Sequence, residues 1–173
     1  MPGYVIHLAV AQEYLKKHKN RKENYDEFIE GVIYPDSVTD KSKTHYGPKS
    51  GETNIIKFLE ENNIQNSFER GYLLHLVTDY LFYNKYIDTY SIDIYNDYDI
   101  LNKRLIEKYE VKIPEKVKNK IFFKDDIKLK ILSMELVEKL IDEVSSLNLD
   151  IIAEQVKEEP EKWTEFRTLK YID

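Results

Sequence analysis

A histidine and an aspartate four residues apart, His75 and Asp79, stand in Arg70-Gly71-Tyr72-Leu73-Leu74-His75-Leu76-Val77-Thr78-Asp79, one of the most apolar runs of the chain. On a helix that spacing puts both side chains on one face, one turn apart. Burying an unpaired imidazole or carboxylate is costly, so such a pair calls for a hydrogen-bond partner, a counter-charge or a metal ion. Three residues of the same chemistry precede it: His7 in an apolar segment, then Asp36 and His45. Mixed nitrogen and oxygen donors suit zinc, and also iron or manganese, and an HxxxD pair gives two donors from one rigid helix. Each residue alone has an ordinary explanation. The pair can be an internal hydrogen bond, His7 a satisfied core histidine, Asp36 a turn residue after Pro35 and His45 a loop residue.

Other chemistries are narrowed by composition. Cysteine is absent, so disulfides, thiol catalysis and thiolate ligands are excluded together. His18 lies among Lys16, Lys17 and Lys19 at a helix end, a solvated position facing the helix dipole, and no histidine follows His75. The net charge is −6 with acidic and basic residues interspersed, which argues against nucleic acid held on a basic surface. Fourteen tyrosines, with many lysines, asparagines and isoleucines, read as a genomic composition bias. Runs such as Tyr72 to Val77 fall far short of the roughly 20 apolar residues that cross a bilayer. The N-terminus lacks the basic-then-apolar pattern of a signal peptide, so a soluble, cytoplasmic protein is expected. At 173 residues, one domain spanning residues 1–173 is expected.

The elements that must position the five residues read as helices. Tyr4 to His18 is apolar on nearly all sides and therefore buried, carrying His7 inward. Tyr25 to Val32 is a short helix, after which Pro35 keeps Tyr34 out of the α region and leaves Asp36 on a loop. Ser37 to Gly51 is a polar loop holding His45. Thr53 caps a helix to Glu61, and Asn66 with Glu69 forms a capping-box signature for a central helix from Phe68 to Tyr86. Further helices are expected over Tyr98 to Tyr109, Pro114 to Phe123, Asp126 to Ser146, Asp150 to Glu158 and Pro160 to Lys170. The third-named carries Leu129, Leu132, Leu136, Val137, Leu140, Ile141 and Val144 on one face. No stretch alternates with a two-residue period between hairpin turns, so the fold class is all-α, a compact multi-helix domain.

The order of a helical histidine, Gly31-Val32-Ile33-Tyr34-Pro35-Asp36, Thr44-His45-Tyr46-Gly47 and the central GxxxHxxxD resembles the zinc-dependent phospholipase C and P1 nuclease superfamily. The resemblance covers roughly residues 4 to 86. It implies an all-α fold of that type and a zinc cluster of one or two ions. By carry-over Asp36, His45, His75 and Asp79 make one four-ligand site, and His7 helps hold a neighbouring metal with Asp79 bridging. It further implies hydrolysis of a phosphate ester, phosphodiester or phospholipid-like, by attack of a metal-bound hydroxide on phosphorus. Two metals about 3.5 to 4 Å apart can clamp the attacking and leaving oxygens of such an ester. Asp36 is the implied general base as well as a ligand.

The chain departs from the family downstream of the central helix, where full members carry further histidines and a glutamate. Asp97 and Asp99 are the nearest replacements, although an acidic helix start explains them equally. The reduced donor set also suits a second function class: a catalytically inactive metal-binding protein that keeps the site for structure or for a partner. A helical HD-type phosphohydrolase would need adjacent His-Asp residues, and the sequence has none. Acidic balance argues against action at a membrane, and a small soluble phosphoester serves equally as the substrate.

Overall fold

The computed structural model describes residues 3–125 and 128–172 and is mostly helical. In chain order the α-helices are α1 (Gly3–Lys17), α2 (Tyr25–Ile33), α3 (Lys41–His45), α4 (Ile55–Glu61), α5 (Ser67–Leu81), α6 (Ile94–Tyr109), α7 (Met134–Ser146) and α8 (Leu149–Glu158). The two-residue strands β1 (Thr89–Tyr90) and β2 (Lys170–Tyr171) pair in parallel. The all-α reading holds. No helix among the described residues is long and apolar enough to cross a membrane.

Side-chain caps fix several of the helix starts. Asn24 accepts the Glu27 N–H to begin α2, Asn66 the Glu69 N–H to begin α5, and Ser133 the Leu136 N–H to begin α7. The apolar residues of α1 and α5 run round the whole helix, and both lie in the core. By contrast α7 buries one stripe, Val137, Leu140, Ile141 and Val144, against α1.

The most extensive helix pairing is that of α2 with α5. Two glycines meet there reciprocally: a Cβ on Gly31 would lie 2.0 Å from the Phe68 carbonyl oxygen, and one on Gly71 2.0 Å from that of Phe28. Only hydrogen fits at either place, so the two backbones approach more closely than ordinary side chains allow.

Several boundaries differ from expectation. Tyr34 is helical (φ −56°, ψ −45°), because Pro35 sits in the first turn of a short 3-10 helix, Tyr34–Asp36, where its missing N–H is not needed. Asp36 thus ends a helical turn continuous with α2, where a loop was expected. The expected loop after it contains α3, started by Asp40, which accepts the Ser42 N–H. Asn54, not Thr53, caps α4; the Thr53 hydroxyl donates to the Ser50 carbonyl and closes the preceding turn. Helix α6 begins at Ile94, four residues before the expected Tyr98. Glu115–Lys120 is a 3-10 helix within the stretch expected to be helical to Phe123.

Two corrections concern the second half. The helix expected from Asp126, a residue outside those described, starts only at Met134, because the amides of Lys130, Ile131 and Leu132 donate to the Asp97 carboxylate at 3.0, 2.7 and 2.9 Å. The expected helix from Pro160 to Lys170 is a 3-10 turn, Pro160–Trp163, followed by extended chain. Side chains of α5 and the turn after it draw it out: Tyr80 accepts the Glu165 N–H and Asn84 the Arg167 N–H.

Gly71→Ala is expected to destabilise the protein by at least about 2 kcal/mol, the overpacking term exceeding the gain in helix propensity. Gly31→Ala should act similarly, and the double variant should lose less than the two together, since either one opens the same crossing. Urea unfolding of the three variants measures this.

Candidate metal centre

The five residues singled out in the sequence converge. His7 comes from the second turn of α1, Asp36 from the turn that prolongs α2, His45 from the last residue of α3, and His75 and Asp79 from α5. All are buried, with 0 to 6% of their surface exposed. His18 lies apart, its ring stacked on Tyr14 and its Nε2 3.1 Å from the Ser145 carbonyl.

Local structure holds the donors in place. His75 Nδ1 lies 2.7 Å from the Val32 carbonyl, a distance that the glycine crossing makes reachable, and His45 Nδ1 lies 2.8 Å from the Lys41 carbonyl. Carbonyls only accept, so each Nδ1 carries a proton and, in the neutral ring, each Nε2 presents a lone pair. Helix α3 is pinned by the Thr44 hydroxyl donating to the Pro35 carbonyl and by Tyr72 donating to the Thr44 carbonyl. Asp36 is steadied by Tyr4, whose hydroxyl donates to the Asp36 carbonyl.

The two free Nε2 atoms face each other at 3.3 Å and face carboxylate oxygens. His45 Nε2 is 2.9 Å and His75 Nε2 3.2 Å from Asp79 Oδ2, and both are 3.6 Å from Asp36 Oδ1. Four electron-pair donors so close together repel unless a cation lies among them. A tetrahedral ion with ligands at 2.0–2.1 Å holds them about 3.3 Å apart, close to the mean of these separations. On the other side His7 Nε2 is 3.1 Å from Asp79 Oδ1 and 3.9 Å from Asp36 Oδ2. Each carboxylate therefore turns one oxygen to His7 and the other to the His45/His75 pair. His7 stacks flat on His75, ring centres 3.7 Å apart.

The cluster can hold a metal ion. Two triads, His7/His75/Asp79 and Asp36/His45/His75, each place their donor atoms within 4.8 Å of one another. Both nitrogens of His7 and all four oxygens of Asp36 and Asp79 are buried and lack a hydrogen bond of proper geometry. Such orphans are rare in a folded interior and are satisfied there by a bound water or an ion. Burial and the neighbouring His75 push His7 down to about 4, so its ring is neutral at pH 7. Burial would raise Asp79, but His75, His7 and His45 outweigh it and hold the carboxyl well below its usual range. Burial likewise opposes protonation of His75, and the Asp79 and Asp36 carboxylates reverse it, leaving that imidazole raised.

Neither Asp97 nor Asp99 extends the set. The Asp97 carboxylate is taken by the three amides named above, and Asp99 accepts the Lys124 N–H through its backbone carbonyl. Neither belongs to the donor triads. Sequence reading passed over Tyr98, whose buried hydroxyl also lacks a partner; one tyrosine among fourteen carries no signal. Comparison with protein-family models, with curated proteins and with solved structures gives no match.

Three outcomes follow from this geometry. Zinc, iron or manganese should copurify with the protein and be lost from Asp79→Ala, and a chelator should lower Tm in the wild type and leave the variant unmoved, as metal analysis and thermal scans would show. Asp97→Ala should cost on the order of 3 kcal/mol by orphaning three amides, yet keep its metal. In chelator-treated protein, His7 has a folded value near 4 against 6.5 unfolded, so the unfolded chain takes up its proton first and stability falls as pH drops from 6.5 towards 4. The raised His75 contributes its stabilisation fully below 6.5, and the lowered Asp79 keeps its own down to the carboxylate range. Below 6.5, where the His75 contribution is complete, urea midpoints should therefore report about 2 kcal/mol less stability at pH 4.5 than at pH 6, a difference that His7→Ala removes.

Proposed function

We propose that the protein is a metal-dependent hydrolase of phosphate esters, an all-α protein of the phospholipase C and P1 nuclease type with a reduced donor set. The observation that carries this reading is the bidirectional placement of the two carboxylates, one oxygen of each towards His7 and the other towards His45 and His75. That arrangement suits two neighbouring cations better than one. Zinc bound there would supply Lewis acidity for a phosphoryl oxygen and for the attacking water. His45, His75, Asp79 and Asp36 would hold one ion, and His7 with Asp79 would help hold the second. Asp36 Oδ2, buried, without a hydrogen-bond partner and 3.9 Å from His7 Nε2, is the carboxylate oxygen that would take the proton of the attacking water.

A second reading, a metal site kept for structure alone, is favoured by the near-complete burial of the ligands, since structural sites are closed and catalytic ones keep an open position. Turnover separates the two. Zinc-loaded protein should hydrolyse bis(p-nitrophenyl) phosphate or p-nitrophenyl phosphate, and Asp36→Asn with metal retained should lower kcat by about 100-fold or more. Stoichiometric zinc with no turnover of either ester would leave the structural reading standing.

A further inference from the structure

Among the described residues, the buried side-chain polar atoms without a partner lie on His7, Asp36 and Asp79, with one exception, the hydroxyl of Tyr98. Tyr98 lies on α6, which packs against α1. Its ring rests against Gly3, where a Cβ would meet Tyr98 Cγ at 3.5 Å, and Gly3 is one turn before His7 on the same side of α1. On its other side the ring meets Tyr95 edge-on at 5.8 Å. Tyr95 lines a cavity of about 380 Å³ together with Tyr90 and Tyr83, and Tyr83 stands one turn beyond Asp79. Tyr98 thus touches both α1 at Gly3 and Tyr95 of the cavity wall, close enough to Asp79 and Asp36 to feel their charges.

The chemistry of the group is one-sided. Burial, and then the nearby Tyr95 and the charges of Asp79, Tyr90 and Asp36, push the phenol well above its usual range, so it stays protonated and acts as a donor. The five residues of the centre offer electron pairs, which cations would occupy. The acceptor left for a neutral donor at that edge is an oxygen of the molecule bound there. Resting on the hydrolase reading above, we propose that Tyr98 belongs to the site and donates its hydroxyl hydrogen to an oxygen of the bound phosphoryl group, a tetrahedral oxyanion. A donor aimed at developing oxyanion charge in a dry site is worth about 10²- to 10³-fold in rate where it has been removed.

Zinc-loaded wild type and Tyr98→Phe decide the matter. Expected are equal zinc content, a Tm unchanged or higher because an unpartnered buried hydroxyl is gone, inorganic phosphate bound about 10-fold more weakly by calorimetry, and kcat on the diester lowered at least 10-fold with KM little moved. Equal phosphate affinity and kcat in the two proteins would overturn the assignment. Lost zinc in Tyr98→Phe would overturn it too, since the hydroxyl would then be orienting a ligand. Phosphate that binds the wild type without turnover, and binds Tyr98→Phe more weakly, would sink the hydrolase reading and uphold the donor. A zinc-loaded wild type with no affinity for phosphate would remove both.

Discussion

Where α2 crosses α5, two glycines lie against two carbonyls, and the distances in the centre descend from that contact. Asp36 is reached by a single helical turn from the end of α2, with no slack in between. Moving α2 outward by the width of a methyl group would carry Asp36 away from His75 and Asp79. It would also pull the Val32 carbonyl off His75 Nδ1, releasing the tautomer that aims Nε2 inward. Packing, ring orientation and carboxylate placement are therefore one constraint. The same crossing explains why glycine stands four residues before His75 and five before Asp36, far from any turn that would need one.

What the crossing assembles is electrostatically unfavourable by itself. With both rings neutral, the lone pairs of His45 and His75 point at each other and at two carboxylates, in a core whose one buried lysine or arginine among the described residues is Arg70. Arg70, on the same helix as His75 and Asp79, is committed at the start of α5 to Glu23 and Asp150. A scaffold that positions such a cluster draws on the rest of its core for the necessary stability, and a cation returns part of it on binding. A metal held by this cluster would couple its affinity to folding through the same few contacts.

How much of this was legible in the sequence varies from residue to residue. The i, i+4 spacing of His75 and Asp79 in an apolar run placed both inside on one face, and the Asn66 cap fixed the start of their helix. His7 was legible for the same reason, an all-round apolar helix. The sequence points to Asp36 and His45 but places them on loops. A proline usually keeps the residue before it out of the α region, an effect that does not apply to Tyr34 because Pro35 opens a 3-10 turn. Helix α3 spans five residues, too few for periodicity to register, and is held by tertiary bonds from Thr44 and Tyr72. The start of α7 was misjudged because Asp97, more than thirty positions upstream, captures the amides of Lys130, Ile131 and Leu132. No local pattern announces a partner at that range.

That capture also bears on why the donor set stops where it does. After α5 the chain has no histidine, and among the described residues there the one fully buried carboxylate, Asp97, is consumed by backbone amides. The second half serves the centre indirectly. Helix α6, anchored through Asp97 to the segment before α7, presents Tyr98 to the side of the cluster, and α7 lays its apolar stripe on α1 and so holds His7. The extended C-terminal segment is tied by Tyr80 and Asn84 to the end of the helix that carries His75 and Asp79. An aspartate in this half could join the centre only by giving up the loop that positions α7, and with it the support of α1. The smaller set of donors is thus consistent with a fold that uses its remaining buried carboxylate to hold the scaffold together.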